Sequence, residues 1–225
     1  MATYLICHGA WSAGWAWKKM RPLLRAAGHE VFTPSYTGLG ERAHLAHPMV
    51  DLETHIQDIL AVIDCEDLKD FILVGHSYGG MVATGVADRV PHLVNHLIYL
   101  DAFVPGDGQS LADLLGQVPA SAPLEGWLLP PLPSAPDTSA EDLAWTLPRR
   151  RHQPLRCFTQ KLRLSGAAPS FPRSYIHCTK KPGPDSFRQF ADRFSTDPAW
   201  RFHALDASHS PNVTAPEALA RLLLA

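Results

Sequence analysis

The sequence predicts an α/β fold in which a doubly wound, mostly parallel six-stranded sheet is covered by helices on both faces. Three observations predict it. Short apolar runs of strand length alternate with amphipathic stretches of helical period along the chain. One such run, Phe71 to Val74, leads through a glycine-flanked corner into a helical stretch. The composition of the 225 residues, 46% hydrophobic and 19% charged, is that of an ordinary globular protein, which predicts a single domain over residues 1–225.

The first elements follow from local signals. Tyr4 to Cys7 is a short apolar strand, and the stretch from Trp15 to Ala27 is helical. Pro22 lies inside that stretch and is expected to kink the helix or to open a second one, because proline lacks the backbone donor. His29 to Phe32 is the second strand.

A clear amphipathic helix follows from Asp51, a capping residue, to Cys65. The third strand is Phe71 to Val74, and the helix after it is expected to stop before Pro91. His96 to Leu100 is the fourth strand.

Prolines then cluster and helical periodicity is poor, so residues 105–172 are predicted to form a cap inserted after the fourth strand. Order returns with a fifth strand, Ser174 to Cys178, then a helix marked by Phe187 and Phe194. A last strand at about 201–205 precedes a C-terminal helix that opens at Pro216.

Net charge and residue spacing argue against several kinds of binding partner. A net charge of −2 and a pI near 6.6 give no support for a nucleic-acid or membrane partner. The histidines and four cysteines have no metal-ligand spacing, so no metal site is predicted. No signal-like segment precedes the first strand, and a cytoplasmic location is therefore expected. The sequence does not determine the oligomeric state, and a homodimer is one possibility.

The corner after the third strand, Gly75-His76-Ser77-Tyr78-Gly79, has the pattern of a nucleophile elbow. Side chains at the two flanking positions would clash in so tight a turn, which explains the glycines. Ser77 is therefore the predicted nucleophile.

A serine hydroxyl needs a base within hydrogen-bond reach. His209 follows the last strand and so lies at the same sheet edge as Ser77, which makes it the predicted base. The developing oxyanion needs preset donors. We expect these to be the backbone N–H groups of Tyr78, directly after the nucleophile, and of Ala10, in the glycine-containing loop after the first strand. His8 is expected to hold that loop.

These motifs resemble the α/β-hydrolases, and among them the esterase and hydroxynitrile-lyase branch typified by plant methylesterases and bacterial pyrethroid-type esterases. The matching segments are His8-Gly9-Ala10-Trp11, Trp15-Ala16-Trp17, Leu23 to His29 and Val74 to Met81, with the His209 loop. The resemblance implies an α/β-hydrolase fold, a Ser–His–acid triad, an acyl-enzyme intermediate, no cofactor, and an apolar pocket under the cap.

The position of the acid departs from this family pattern. The resemblance implies an aspartate just after the fifth strand, where this chain has Cys178-Thr179-Lys180-Lys181. Asp101, at the end of the fourth strand, is favoured because other α/β-hydrolases carry their acid there. Asp185, Asp206 and the absence of any acid remain alternatives.

The predicted function is hydrolysis of small apolar or aromatic carboxylic esters. Family lyases carry a threonine at the position of Gly9 and a lysine at the position of Ser210, which disfavours a hydroxynitrile lyase here. A lactonase, thioesterase or carbon–carbon bond hydrolase with the same triad, or a receptor-like binding module, stays an alternative. The residues expected to line the substrate pocket are Trp11, Phe103, Trp127 and Trp145.

Overall fold

A six-stranded sheet forms the centre of the structure, a computed structural model that describes residues 1–117, 123–133, 138–181 and 183–225. The strands are β1 Thr3–Cys7, β2 Glu30–Phe32, β3 Phe71–His76, β4 Val94–Leu100, β5 Leu128–Leu129, β6 Gln153–Pro154, β7 Arg173–Cys178 and β8 Trp200–Leu205. The α-helices are α1 Met20–Ala26, α2 Leu52–Cys65, α3 Gly79–Arg89, α4 Leu111–Leu115, α5 Ala140–Thr146, α6 Arg156–Thr159, α7 Arg188–Phe194, α8 Pro211–Thr214 and α9 Pro216–Leu223.

The sheet has the order β2-β1-β3-β4-β7-β8, and every pair of neighbouring strands is parallel. Alternate residues of a strand point to opposite faces, so Leu5 and Cys7 join the core under α2 and α3, whereas Tyr4 and Ile6 join the core under α1 and α9. Both faces are covered, which confirms the predicted doubly wound fold with six strands.

The helical boundaries show one difference from the prediction. The stretch from Trp15 to Ala27 is a short 3₁₀ helix, Gly14–Trp17, followed by α1. The break precedes Met20, and Pro22 lies in the first turn of α1, where its missing N–H has no intrahelical partner to lose.

The predicted cap of residues 105–172 falls in the segment between β4 and β7. Its described part contains α4, α5, α6 and the antiparallel pair of β5 and β6, and residues 118–122 and 134–137 lie outside the described residues. Within the described residues, no helix has the length and apolarity needed to cross a membrane.

The order of the strands indicates where a ligand site can form. The chain runs from β1 outward to β2 and then returns to β3 on the other side of β1, so the loops after β1 and β3 diverge at the carboxyl edge of the sheet. Such a reversal opens a crevice at that edge, where ligands of open α/β sheets bind.

Candidate active site

Ser77 stands on a sharp turn between β3 and α3. Its φ of +55° lies in the left-handed region, which is rare for a residue with a side chain. A Cβ at Gly75 would lie 2.8 Å from the Gly79 carbonyl oxygen, and one at Gly79 would lie 2.0 Å from the Cys7 carbonyl oxygen. Both flanking positions therefore require glycine, as predicted from the sequence.

The loop after β8 brings His209 to Ser77. His209 Nε2 lies 3.0 Å from Ser77 Oγ, and His209 Nδ1 lies 2.6 Å from Asp101 Oδ2. Asp101 follows β4 and is fully buried. Serine, histidine and aspartate thus form one hydrogen-bonded chain at the carboxyl edge of the sheet.

The two alternative carboxylates are engaged elsewhere. Asp185 binds Lys181 at 2.6 Å, and Asp206 binds Lys180 at 2.9 Å on the surface. Of the three candidates, only Asp101 has a hydrogen bond to His209 within the described residues.

The carboxylate of Asp101 is ionised although it is buried. Burial alone raises the pKa of a carboxyl group, but here contacts with His177 and His209 and the charge of Lys181 outweigh it and hold the pKa of Asp101 well below its ordinary value. An ionised Asp101 accepts the Nδ1–H of His209, which leaves Nε2 unprotonated and able to accept the Ser77 hydroxyl proton.

His76 fixes the backbone of the histidine loop. Its Nε2–H donates to the His209 carbonyl oxygen at 2.7 Å. Burial, with the neighbouring His209 ring, lowers the pKa of His76 to about 4. The His76 ring is therefore neutral at pH 7 and adds no charge beside His209.

The loop after β1 presents the Ala10 N–H. His8 donates from Nδ1 to the Gly9 carbonyl oxygen at 2.9 Å, and its Nε2 accepts the Tyr36 N–H at 3.3 Å. The N–H of a trans peptide points opposite to its carbonyl, so the Ala10 N–H points away from His8. Among the described residues, neither this N–H nor that of Tyr78 has a hydrogen-bond partner. Both predicted oxyanion donors are thus available.

The Tyr78 side chain anchors the second donor. His55 Nε2 must donate to the Thr37 carbonyl at 3.0 Å, so its Nδ1 accepts the Tyr78 hydroxyl at 2.9 Å. Both side chains are fully buried. Burial lowers the pKa of His55 to about 4, which keeps the ring in the neutral form that this pair requires.

Trp11 ties the same loop to the predicted cap through three hydrogen bonds. Its N–H donates to Gln153 Oε1 at 2.8 Å, its carbonyl accepts the Arg151 N–H at 3.2 Å, and its indole N–H donates to the Leu129 carbonyl at 3.1 Å. Trp11 has a φ of +56°. The contacts from the cap segment therefore stabilise an unfavourable backbone conformation beside Ala10.

A cavity of about 490 Å³ opens in front of Ser77. Its lining is largely apolar and includes Trp11 and Phe103, two of the four predicted pocket residues. It contains no aspartate or glutamate among the described lining residues, which favours a neutral or anionic ligand over a cation.

The other two predicted pocket residues do not line this cavity. Trp145 packs edge-on against Trp15, which itself lines the cavity, so Trp145 lies one layer behind the wall. Trp127 lies on the turn before β5, where its carbonyl accepts the Leu155 N–H. The prediction for these two residues is wrong, because an aromatic side chain suits an apolar pocket but its position in an aperiodic segment does not tell which way it points.

Phe187 is a wall residue that the sequence did not identify as part of the site. Its ring stacks on His209 with centroids 4.8 Å apart and contacts Phe103 at 4.8 Å. Its spacing with Phe190 and Phe194 in the sequence indicates only the apolar face of a helix. The sequence likewise gave no signal for Gln153 or His55, whose partners are distant along the chain.

Comparison with known proteins identifies the family. The model of the alpha/beta hydrolase family matches residues 4–222. The chain belongs to this family. A full-length relative of this hydrolase is the carbendazim hydrolyzing esterase of Nocardioides sp. (strain SG-4G), with 39% identity over 100% of this chain and 99% of that protein.

Two other similar proteins come from a plant and from a bacterium. Salicylic acid-binding protein 2 of Nicotiana tabacum is 29% identical over 56% of this chain and 48% of that protein. A solved extracellular alpha/beta-hydrolase from a Paenibacillus species superposes with a TM-score of 0.83 and 27% identity, covering 100% of this chain and 98% of that one. The fold and the family are therefore shown over the whole chain.

Proposed function

We propose that this hydrolase cleaves neutral carboxylic esters of small apolar or aromatic compounds through an acyl-enzyme formed on Ser77. The observation that carries the proposal is the chain from Ser77 Oγ to His209 Nε2 at 3.0 Å and from His209 Nδ1 to buried Asp101 at 2.6 Å. The full-length relative named as an esterase supports the same reaction class.

In the proposed reaction, Ser77 Oγ attacks the ester carbonyl carbon and gives its proton to His209 Nε2. The negative charge that develops on the carbonyl oxygen accepts hydrogen bonds from the N–H groups of Ala10 and Tyr78. Collapse expels the alcohol, which takes the proton from His209. A water molecule then attacks the acyl group with His209 again as base, releasing the carboxylic acid and restoring Ser77.

The cavity supports a substrate of modest size. A volume of about 490 Å³ lies in the range of small-molecule sites, and the lining offers aromatic surface from Trp11, Phe103 and Phe187. Carbendazim, the compound in the name of the full-length relative, is accordingly a reasoned test substrate alongside simple aryl esters.

The test compares wild type with Ser77→Ala on p-nitrophenyl acetate, p-nitrophenyl butyrate and carbendazim. We expect turnover by wild type and a fall in kcat of about five to six orders of magnitude in Ser77→Ala, since loss of a nucleophile removes the covalent route. Equal slow rates in both proteins, together with a ligand-induced rise in Tm, would contradict the proposal and favour a binding module.

A further inference from the structure

Lys181 joins two carboxylates behind His209. Its Nζ donates to Asp101 Oδ1 at 2.7 Å and to Asp185 Oδ1 at 2.6 Å, and its side chain is only 12% exposed. Asp101 Oδ1 also accepts the Cys178 N–H at 3.1 Å. Two donors therefore occupy Oδ1, and within the described part of the chain Oδ2 has His209 as its hydrogen-bond partner.

We propose that Lys181 is a positioning residue of the active site: its ammonium fixes the rotation of the Asp101 carboxylate and sets the charge balance against which His209 takes up a proton. This inference rests on the proposed function. The residue lies in the segment after β7, where the family resemblance implied an aspartate, so in this chain that segment supplies the partner of the acid Asp101 instead.

Charge balance supports the assignment. A buried carboxylate is costly unless it is paired and hydrogen-bonded. Lys181, Asp101 and Asp185 together carry one net negative charge, and protonation of His209 during the reaction brings this group to neutrality. The cluster is thus complementary to the protonated form of His209 that forms when Ser77 gives up its proton.

A second contact connects Lys181 with the histidine. Its Nζ lies 4.8 Å from the ring centroid of Phe187, a favourable position for a cation over an aromatic face. The same ring stacks on His209 with an interplanar angle of 15°. Lys181 is therefore linked to His209 through two intervening side chains, Asp101 and Phe187.

Among the described residues, several other ionisable groups pack around Asp101, Asp185 and His209 and bear on the pH dependence. His177 Nδ1 lies 3.4 Å from Asp101 Oδ1, and its Nε2 lies 3.4 Å from Asp185 Oδ2. The others are His76 on β3, which faces the His209 ring at 5.0 Å, and the buried Tyr175 and Cys178 on β7, whose pKa values are raised by burial and further by Asp101. Tyr175 and Cys178 stay neutral across the pH range in which His209 must act.

The experiment measures kcat/KM for p-nitrophenyl butyrate against pH in Lys181→Met, Lys181→Arg and Lys180→Met. Lys180 is the matched control, because it pairs with Asp206 on the surface. In Lys181→Met the positive charge that repels protonated His209 is gone, so His209 keeps its proton to higher pH. The acidic limb of the kcat/KM profile therefore moves to higher pH by roughly 0.5–1 unit. The plateau of kcat/KM falls about tenfold, which corresponds to the lower end of what one hydrogen bond to a charged group contributes. In Lys181→Arg, which keeps the positive charge, and in Lys180→Met, we expect the acidic limb of kcat/KM at the same pH as in wild type.

Asp185→Asn gives a test of opposite sign that also holds if Lys181→Met does not fold. Removing this negative charge disfavours protonated His209, so the acidic limb moves to lower pH. If folded Lys181→Met had its acidic limb of kcat/KM at the wild-type pH, even with a lowered Tm, the proposal would be overturned, because a lysine with only a structural role gives that result. An unmoved or raised limb in Asp185→Asn would overturn it as well. Absence of turnover in wild type would instead be a failure of the proposed function.

Discussion

Asp101→Asn is expected to lower kcat/KM for an ester substrate by about three to four orders of magnitude. The surroundings of the carboxylate give the reason. Cys178 N–H and Lys181 Nζ both donate to Oδ1, so the amide oxygen of asparagine would take that side. Its NH₂ group would then face His209 Nδ1 as a donor. The ring would have to carry its proton on Nε2, where it cannot accept the Ser77 proton.

The control for this substitution is Asp185→Asn, measured at the pH of maximal rate. Asp185 has no hydrogen bond to His209 among the described residues, and we expect that variant to keep activity within several-fold of wild type. Steady-state kinetics on p-nitrophenyl butyrate, with melting curves to establish folding, measure both. Near-full activity in Asp101→Asn with loss in Asp185→Asn would assign the acid to the other strand end.

The free energy of unfolding is expected to fall steeply as pH decreases from about 6.5 to 4. Burial lowers the pKa of His8 to about 3 and that of His55 and His76 to about 4. Because the same side chains titrate near 6.5 once unfolded, the unfolded state binds more protons in this window, and acid favours it. Each ring contributes up to about 1.4 kcal/mol per pH unit, so the three together contribute up to about 4 kcal/mol per unit.

Urea unfolding followed by tryptophan fluorescence at several pH values between 7.5 and 4.5 measures this slope. His55→Gln should reduce the slope by about a third, although it also destabilises the protein at neutral pH by removing the partner of the Tyr78 hydroxyl. His47→Gln is the control, since His47 is exposed, and should leave the slope unchanged. If the free energy of unfolding did not change between pH 7 and 5, the three histidines would bind protons equally well in the folded and unfolded states, and the prediction would be wrong.

The fold and the centre of the site could be predicted from sequence because their signals are local. The elbow around Ser77 requires glycines within two residues, and strand ends are visible as the ends of apolar runs. Parallel strands bring such ends to one edge, which is why His209 and Asp101 could be placed beside Ser77 although they are distant along the chain.

The supporting residues could not be predicted because they act through long-range packing. Gln153 reaches Trp11 across 142 positions, and Lys181 reaches Asp101 across 80. Nothing in the sequence near Lys181 distinguishes it from the exposed Lys180. In the aperiodic segment the sequence does not show which way the side chains of Trp127 and Trp145 point, and the structure places both outside the cavity wall.

Covalent labelling is the most direct measurement of whether Ser77 is the nucleophile. The protein would be treated with a fluorophosphonate, and the adduct would be located by mass spectrometry of its peptides. We expect one adduct, on Ser77, which is absent from Ser77→Ala and from protein unfolded before labelling. Ester turnover without an adduct on Ser77, or an adduct on another residue that accompanies the loss of turnover, would contradict the mechanism.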